Sequence, residues 1–203
     1  MKEIRQRILD ISYEHKLSHL GSCLSALPII QEIYRVKGLE DKFILSSGHA
    51  GLALYTVLEA LGYGNAEEML ERQGIHPDKP NSNGEIDCST GSLGQGLPIA
   101  LGMALADRKK DVYCLVSDGE CAEGSIWEAL RVKDDLQVDN LKVYVNINGY
   151  GAYDAIDTDK LETRLKTFCP DIIICRTTVE QEDFLNGLDA HYHTMTEEEY
   201  KSL

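Results

Sequence analysis

The amino-acid sequence predicts an α/β fold, a mainly parallel sheet sandwiched by helices, in one domain over residues 1–203. Three observations lead there. Residues 112–116 read as a buried-type strand, 125 to about 136 as a helix, and 141–147 as a strand rich in β-branched residues. A strand–helix–strand unit of this size implies parallel pairing through a right-handed crossover. Two more apolar runs, 43–45 and 172–175, supply further short strands.

Taken in order, Ile4, Ile8 and Ile11 form one helical stripe within residues 2–15, with Leu9 beside it. A second helix is expected from about 26 to 36. After the strand at 43–45, Leu54, Tyr55, Leu58 and Leu61 recur at helical spacing, and Gly62 marks the end of that helix. Residues 74–90 read as a long polar loop. The run from Gly91 to Gly96 then opens a helix through Ala106, with Pro98 suited to its first turn. From Arg176 onward the chain carries seven acids against two bases and reads as mostly surface, with Glu197 to Glu199 starting a solvated helix.

The 203 residues carry Lys+Arg 20 against Asp+Glu 34, a net charge of −14. That length suits one domain, and 43% hydrophobic residues suffice for a core. The acidic balance argues against nucleic acid as a partner and against attraction to anionic membranes. No apolar stretch approaches the roughly 18 residues needed to span a bilayer. The N-terminus lacks the apolar core of a signal peptide. Cys23, Cys88, Cys114, Cys121, Cys169 and Cys175 include no C-x-x-C pair, which fits reduced, partly buried thiols in a cytoplasmic protein.

In open parallel sheets, ligands bind outside the carboxyl ends of the strands. Here those ends read Ser47-Gly48-His49, Ser117-Asp118-Gly119-Glu120 and Asn146-Ile147-Asn148-Gly149. Asp118 and Asn148 are thirty residues apart, about one strand–helix–strand unit, so neighbouring strands would bring both to one ion. A carboxylate and an amide oxygen, completed by backbone carbonyl, water and phosphate oxygens, suit octahedral Mg²⁺. Gly119 and Gly124 allow a ligand close to the backbone, and helix N-termini favour phosphate. The pattern is a metal-bridged diphosphate site. The run from Gly91 to Gly96 is G-x-x-G-x-G, not the spacing of a dinucleotide loop, and no strand immediately precedes it.

Asp118-Gly119-Glu120, then Glu123-Gly124, Trp127-Glu128-Ala129 and Asn148, resembles the thiamine-diphosphate signature of transketolases. Other stretches resemble family elements in the same order: Leu17-Ser18-His19-Leu20-Gly21, Leu45-Ser46-Ser47-Gly48-His49, His76-Pro77, the run Ser89 to Gly96, and the tail around His191 and Thr196 to Tyr200. The resemblance implies a thiamine-diphosphate-binding fold of the diphosphate-binding type. It implies that Asp118, Asn148 and the Tyr150 carbonyl bind Mg²⁺ or Ca²⁺. Gly119, His49 and His191 would contact the cofactor's diphosphate, Gly91 and Leu93 would face its aminopyrimidine, and Glu120 would join the cofactor-binding set. His19, His49, His76 and His191 would line the channel for the sugar or sugar-phosphate substrates. Glu123 and Glu128 would belong to a proton network at the subunit interface.

The function so implied is two-carbon ketol transfer from a ketose donor to an aldose acceptor. The chain ends after the family's first domain, so the resemblance implies the diphosphate-binding component of a split transketolase. A separate pyrimidine-binding partner would complete an α₂β₂ assembly, and this chain alone would be inactive. Alternatives are a deoxyxylulose-phosphate synthase-like or 2-oxo acid dehydrogenase E1α-like component, or a trimmed non-catalytic subunit. Two departures stand out: Ser117 replaces the usual Gly before Asp118, and the stretch from Asn148 to Pro170 is shorter than in typical relatives. The second implies a trimmed sheet edge, with residues 150–159 ordered only beside a partner.

Overall fold

The computed structural model describes residues 2–151 and 153–203. Four strands, β1 (Lys42–Leu45), β2 (Val112–Ser117), β3 (Leu141–Ile147) and β4 (Ile173–Arg176), form one sheet in the order β1-β2-β3-β4. All three pairings are parallel, with Leu45 opposite Leu115 and Ser117 opposite Asn146. All strands therefore deliver their carboxyl ends to one edge of the sheet.

Alternation along the strands sets the layers, because successive side chains point to opposite faces. Phe43, Leu45, Tyr113 and Leu115 pack in one core with α1 (Lys2–Glu14), α2 (Leu20–Val36), α3 (Gly51–Ala60) and α4 (Ala66–Gln73). Ile44, Val112, Cys114 and Val116 pack in the other with α5 (Gly96–Ala106), α6 (Gly124–Asp135) and α7 (Thr158–Phe168). Every residue of β2 is buried, as a strand covered on both faces must be. A short α8 (Glu197–Ser202) closes the chain, begun by a capping box between Thr196 and Glu199.

Three elements depart from expectation. Helix α2 starts at Leu20 rather than near 26, because His19 adopts a left-handed backbone (φ 64°) and turns the chain into the helix. Pro28 therefore lies well inside the helix. Helix α4 is an addition: Asn65 caps it by accepting from the N–H groups of Glu67 and Glu68. Helix α7 is an addition within the shortened interval, which holds no further strand among the described residues. Asp157 caps it, Leu161 and Leu165 bury its inner face, and it leads into β4 alongside β3.

The segment before α7 is tied back on itself. Tyr150 pairs with Ala155, and the Gly151 N–H donates to the Asp154 carbonyl at 2.9 Å. Ala152, within the stretch expected to need a partner, lies outside the described residues. The acidic tail is also anchored: Val179, Leu185, Ala190 and Met195 are buried in the first core. His19 N–H donates to the His191 carbonyl at 3.1 Å, which brings the tail to the start of α2.

Candidate functional site

Asp118 follows β2 directly and is 2% exposed. Its Oδ2 accepts from the N–H groups of Asn148 (2.9 Å) and Gly149 (2.7 Å), and its Oδ1 accepts from Gly119 (3.0 Å). Adjacent parallel strands thus bring Asp118 and Asn148 together, as their thirty-residue spacing implied. The Asn148 Oδ1 accepts from the Tyr150 N–H at 3.1 Å, which fixes the turn carrying Tyr150. Burial raises the Asp118 carboxyl to about 6 despite these backbone donors. Among the described residues its hydrogen-bond donors are all backbone N–H groups.

Beside this loop stand the histidines. The His19 ring centroid lies 4.4 Å from that of His191 and 5.3 Å from that of His49, and the His49 and His191 centroids are 5.5 Å apart. His76 is exposed at the rim of the group, and a Cβ on Gly91 would come within 3.1 Å of its ring. Burial, then the fields of His191 and His76, lowers His19 to about 4. Burial, then His19, His191 and His76, lowers His49 to about 3. Burial also lowers His191. At pH 7 these three rings are neutral, each with one donor and one acceptor nitrogen.

A small cavity of about 50 Å³ lies between these groups, walled by His49, Asp118, Gly119, Asn148, Tyr150 and His191 among others. A larger one, about 450 Å³, opens on the α6 and α7 side of the same loop and shares Leu93, Asp118, Gly119 and Gly151 with it. Glu123, exposed at the N-cap of α6, faces this second cavity. Trp127 borders it too, with its indole N–H donating to the Cys121 carbonyl at 2.9 Å. Glu128 is exposed on α6 and lines neither cavity.

Glu120 needs a correction. It is 0% exposed, and its carboxylate is turned away from the cavities toward protein donors. It ties loops together rather than presenting an oxygen to a ligand. The sequence reading missed Thr90, to which it gave no role although it belongs to the glycine-rich motif. Thr90 Oγ1 and His19 Nδ1 are buried with no protein partner among the described residues. Unpaired polar atoms of this kind are costly, and a polar ligand would satisfy them.

The donor set fits a metal-bound diphosphate: one buried carboxylate without a cation, an amide oxygen, neutral histidines and free polar atoms nearby. Among the described residues no group of three or more His, Cys, Asp or Glu could hold a metal ion by itself.

Acid should loosen this cluster. An unfolded histidine titrates near 6.5, whereas His19 and His49 resist protonation until about 4 and 3. Between those values and 6.5 the unfolded chain binds more protons, so the cluster's contribution is complete above 6.5 and is lost as pH falls. Asp118 opposes this, since it holds its proton up to about 6 when folded and therefore favours the folded state at lower pH. Three histidines outweigh one carboxyl. Urea midpoints should be lower at pH 5 than at pH 7.5, and His19→Gln and His49→Gln should each flatten the dependence. Identical profiles for parent and variants would refute it.

The layered parallel sheet, covered by helices on both faces and with its loops gathered at the strand ends, defines an open α/β protein. The model of the transketolase thiamine diphosphate binding domain matches residues 1–182, and the chain belongs to the transketolase family. It is 37% identical over 155 residues to the transketolase of Homo sapiens, a match covering 67% of this chain and 25% of that protein. It is 36% identical over 166 residues to one named subunit of the apulose-4-phosphate transketolase of Phocaeicola vulgatus, covering 71% of this chain and 58% of that one. Among solved structures, the transketolase of Campylobacter jejuni superposes with a TM-score of 0.78 at 21% identity, over 98% of this chain and 41% of that one. The match thus spans about a quarter of the human enzyme. Among the described residues no helix is long and apolar enough to cross a membrane.

Proposed function

We propose that the chain is the diphosphate- and metal-binding subunit of a split, thiamine-diphosphate-dependent transketolase. In this reading it transfers a two-carbon ketol unit from a ketose or ketose-phosphate donor to an aldose acceptor. It does so only with a separate pyrimidine-binding subunit, in an α₂β₂ assembly. The observation that carries the reading is the convergence of Asp118, Asn148, His49 and His191 on one cavity at the strand ends, with the His19 ring packed against both histidines. The size of the P. vulgatus relative, named as a subunit, supports a separate partner.

In this site the Asp118 and Asn148 side chains and the Tyr150 carbonyl would hold Mg²⁺ or Ca²⁺. Gly119, His49 and His191 would hold the diphosphate, and Gly91 and Leu93 would face the aminopyrimidine. Thiamine diphosphate supplies a heterocycle that stabilises negative charge on the carbon it bonds. The chain's own work is positioning and proton handling. His19, His49 and His191, neutral at pH 7, can each accept a hydrogen bond from a sugar hydroxyl on one ring nitrogen and donate one from the other. His76 lies at the rim, where a substrate would enter. Glu123 and Glu128 stand exposed, as groups facing a partner would. The six unpaired thiols suit a cytoplasmic location.

The decisive experiment is a ketol-transfer assay with and without a pyrimidine-binding subunit. The chain alone should give no turnover above a buffer blank, and the partner should restore it. Turnover by the chain alone would overturn the split arrangement. Decarboxylation of pyruvate without sugar transfer would overturn the reaction assignment.

A further inference from the structure

The loop after β2 sits between its neighbours, and its two carboxylates reach in opposite directions. Asp118 reaches toward the β3 end, where Asn148 and Gly149 donate to it. Glu120 reaches the other way. Its Oε1 accepts from the Ser46 hydroxyl just past β1 (2.6 Å) and from the Gly94 N–H of the glycine-rich loop (3.0 Å). Its Oε2 accepts from the Ser117 N–H (3.0 Å). One fully buried carboxylate therefore joins the β1 end, the β2 end and the loop carrying Gly91 and Leu93.

These bonds are not redundant with those of Asp118. Asp118 is fixed by three backbone N–H groups from its own loop and the β3 end, none of which involves Glu120. The spacing between the Asp118 loop and the glycine-rich loop, by contrast, runs through the Glu120 contact with Gly94, alongside a bond from the Ser125 hydroxyl to the Gly94 carbonyl (2.8 Å). Buried acceptors with every donor in place hold such spacings rigidly, and a missing one leaves a backbone N–H stranded.

We propose that Glu120 is a positioning residue that sets the distance between the metal-binding loop and the Gly91–Gly96 loop, and so selects ligands long enough to span both. The inference rests on the functional reading above. Mn²⁺ and inorganic diphosphate would rest against the Asp118 loop, whereas thiamine diphosphate must also reach Gly91 on the glycine-rich loop. Loss of the Glu120 carboxylate should therefore cost thiamine diphosphate its advantage over inorganic diphosphate and leave the two smaller ligands nearly unaffected.

The test is calorimetry of the whole chain with Mn²⁺ alone, with inorganic diphosphate plus Mn²⁺, and with thiamine diphosphate plus Mn²⁺. Wild type, Glu120→Gln and Ser46→Ala are compared, with thermal melts of each. Glu120→Gln retains an oxygen on one side but sets an amide N–H₂ against a backbone N–H on the other. It should lose about 10- to 100-fold in thiamine diphosphate affinity, the range typical of groups that orient a site from behind. Mn²⁺ and diphosphate should stay within about threefold. Ser46→Ala, which keeps the carboxylate, should shift the same ratio less. Equal losses for all three ligands, or an unchanged ratio, would overturn the proposal. If Glu120→Gln gives no cooperative melt, an unchanged ratio in Ser46→Ala overturns it instead. A wild-type chain that binds neither diphosphate nor thiamine diphosphate with Mn²⁺, both alone and with a pyrimidine-binding subunit, would overturn the functional reading itself, and this inference with it.

Discussion

Asp118→Asn is expected to weaken Mg²⁺ binding by about 100- to 4,000-fold while leaving the metal-free fold almost intact. The two halves of that result have separate causes. Removing one partner of a buried ion pair costs about 3–5 kcal/mol, and about 1.4 kcal/mol is a factor of ten. Among the described residues Asp118 is the only carboxylate on the wall of the small cavity, so an ion there would lose its one formal counter-charge. The fold, however, loses little. An asparagine oxygen can still accept from Asn148 and Gly149, and only the bond from Gly119 is given up. One such bond is worth about 0.5–1.5 kcal/mol. The substitution also removes a carboxylate that burial makes reluctant to ionise.

The pH dependence offers an independent check. Metal binding requires the ionised carboxylate, so parent affinity should fall as pH drops through about 6, where Asp118 takes up its proton. The residual affinity of the asparagine variant should lack that inflection. Calorimetry with Mg²⁺ from pH 5 to 8, alongside urea unfolding, measures both. Metal affinity within tenfold of the parent would remove Asp118 from the ligand set.

Sequence legibility followed the range of the interactions involved. The strands were readable because their apolar runs are local and, in β2, buried on both faces. The meeting of Asp118 with Asn148 was readable because parallel pairing converts a thirty-residue spacing into adjacency. Helix α7 is also written locally, with Asp157 as cap and Leu161 and Leu165 at helical spacing. The short interval between Asn148 and Pro170 masks it, yet eleven residues suffice for three turns between two strands. The start of α2 is different. His19 in a left-handed conformation is a rare choice for a residue with a side chain, and a start near 26 would have put Pro28 in the first turn, where proline is at home. The direction of the Glu120 carboxylate was not legible at all, since its donors come from residues 46, 94 and 117. The same holds for the shifted histidines: each falls at a motif position, but their shifts arise from burial and, for His19 and His49, from neighbouring rings.

Gly48→Ala is expected to cost stability and, disproportionately, ligand binding. A Cβ at Gly48 would lie 2.8 Å from the Gly91 nitrogen and 2.9 Å from both the carbonyl carbon and Oγ1 of Thr90. Two of those atoms are backbone, so no change of rotamer relieves the overlap. The chain must either lift Thr90 and Gly91 or unseat Gly48, which precedes His49. Overpacking of this kind costs about 1–3 kcal/mol in stability, and a displacement of about 1 Å at a site can cost roughly 100-fold in function. Gly62→Ala serves as the matched control. Gly62 has φ +84° and nothing within 4 Å of its Cβ position, so its penalty is backbone strain of about 1–2 kcal/mol, remote from the strand-end loops. The two variants should melt at similar temperatures, yet only Gly48→Ala should lose thiamine diphosphate affinity. Equal binding by both would mean that the contact of Gly48 with Thr90 and Gly91 supports the fold and not the site. Unequal binding at equal stability would mean that the glycine is required where two backbones touch, because that contact places His49 against the loop expected to face the cofactor.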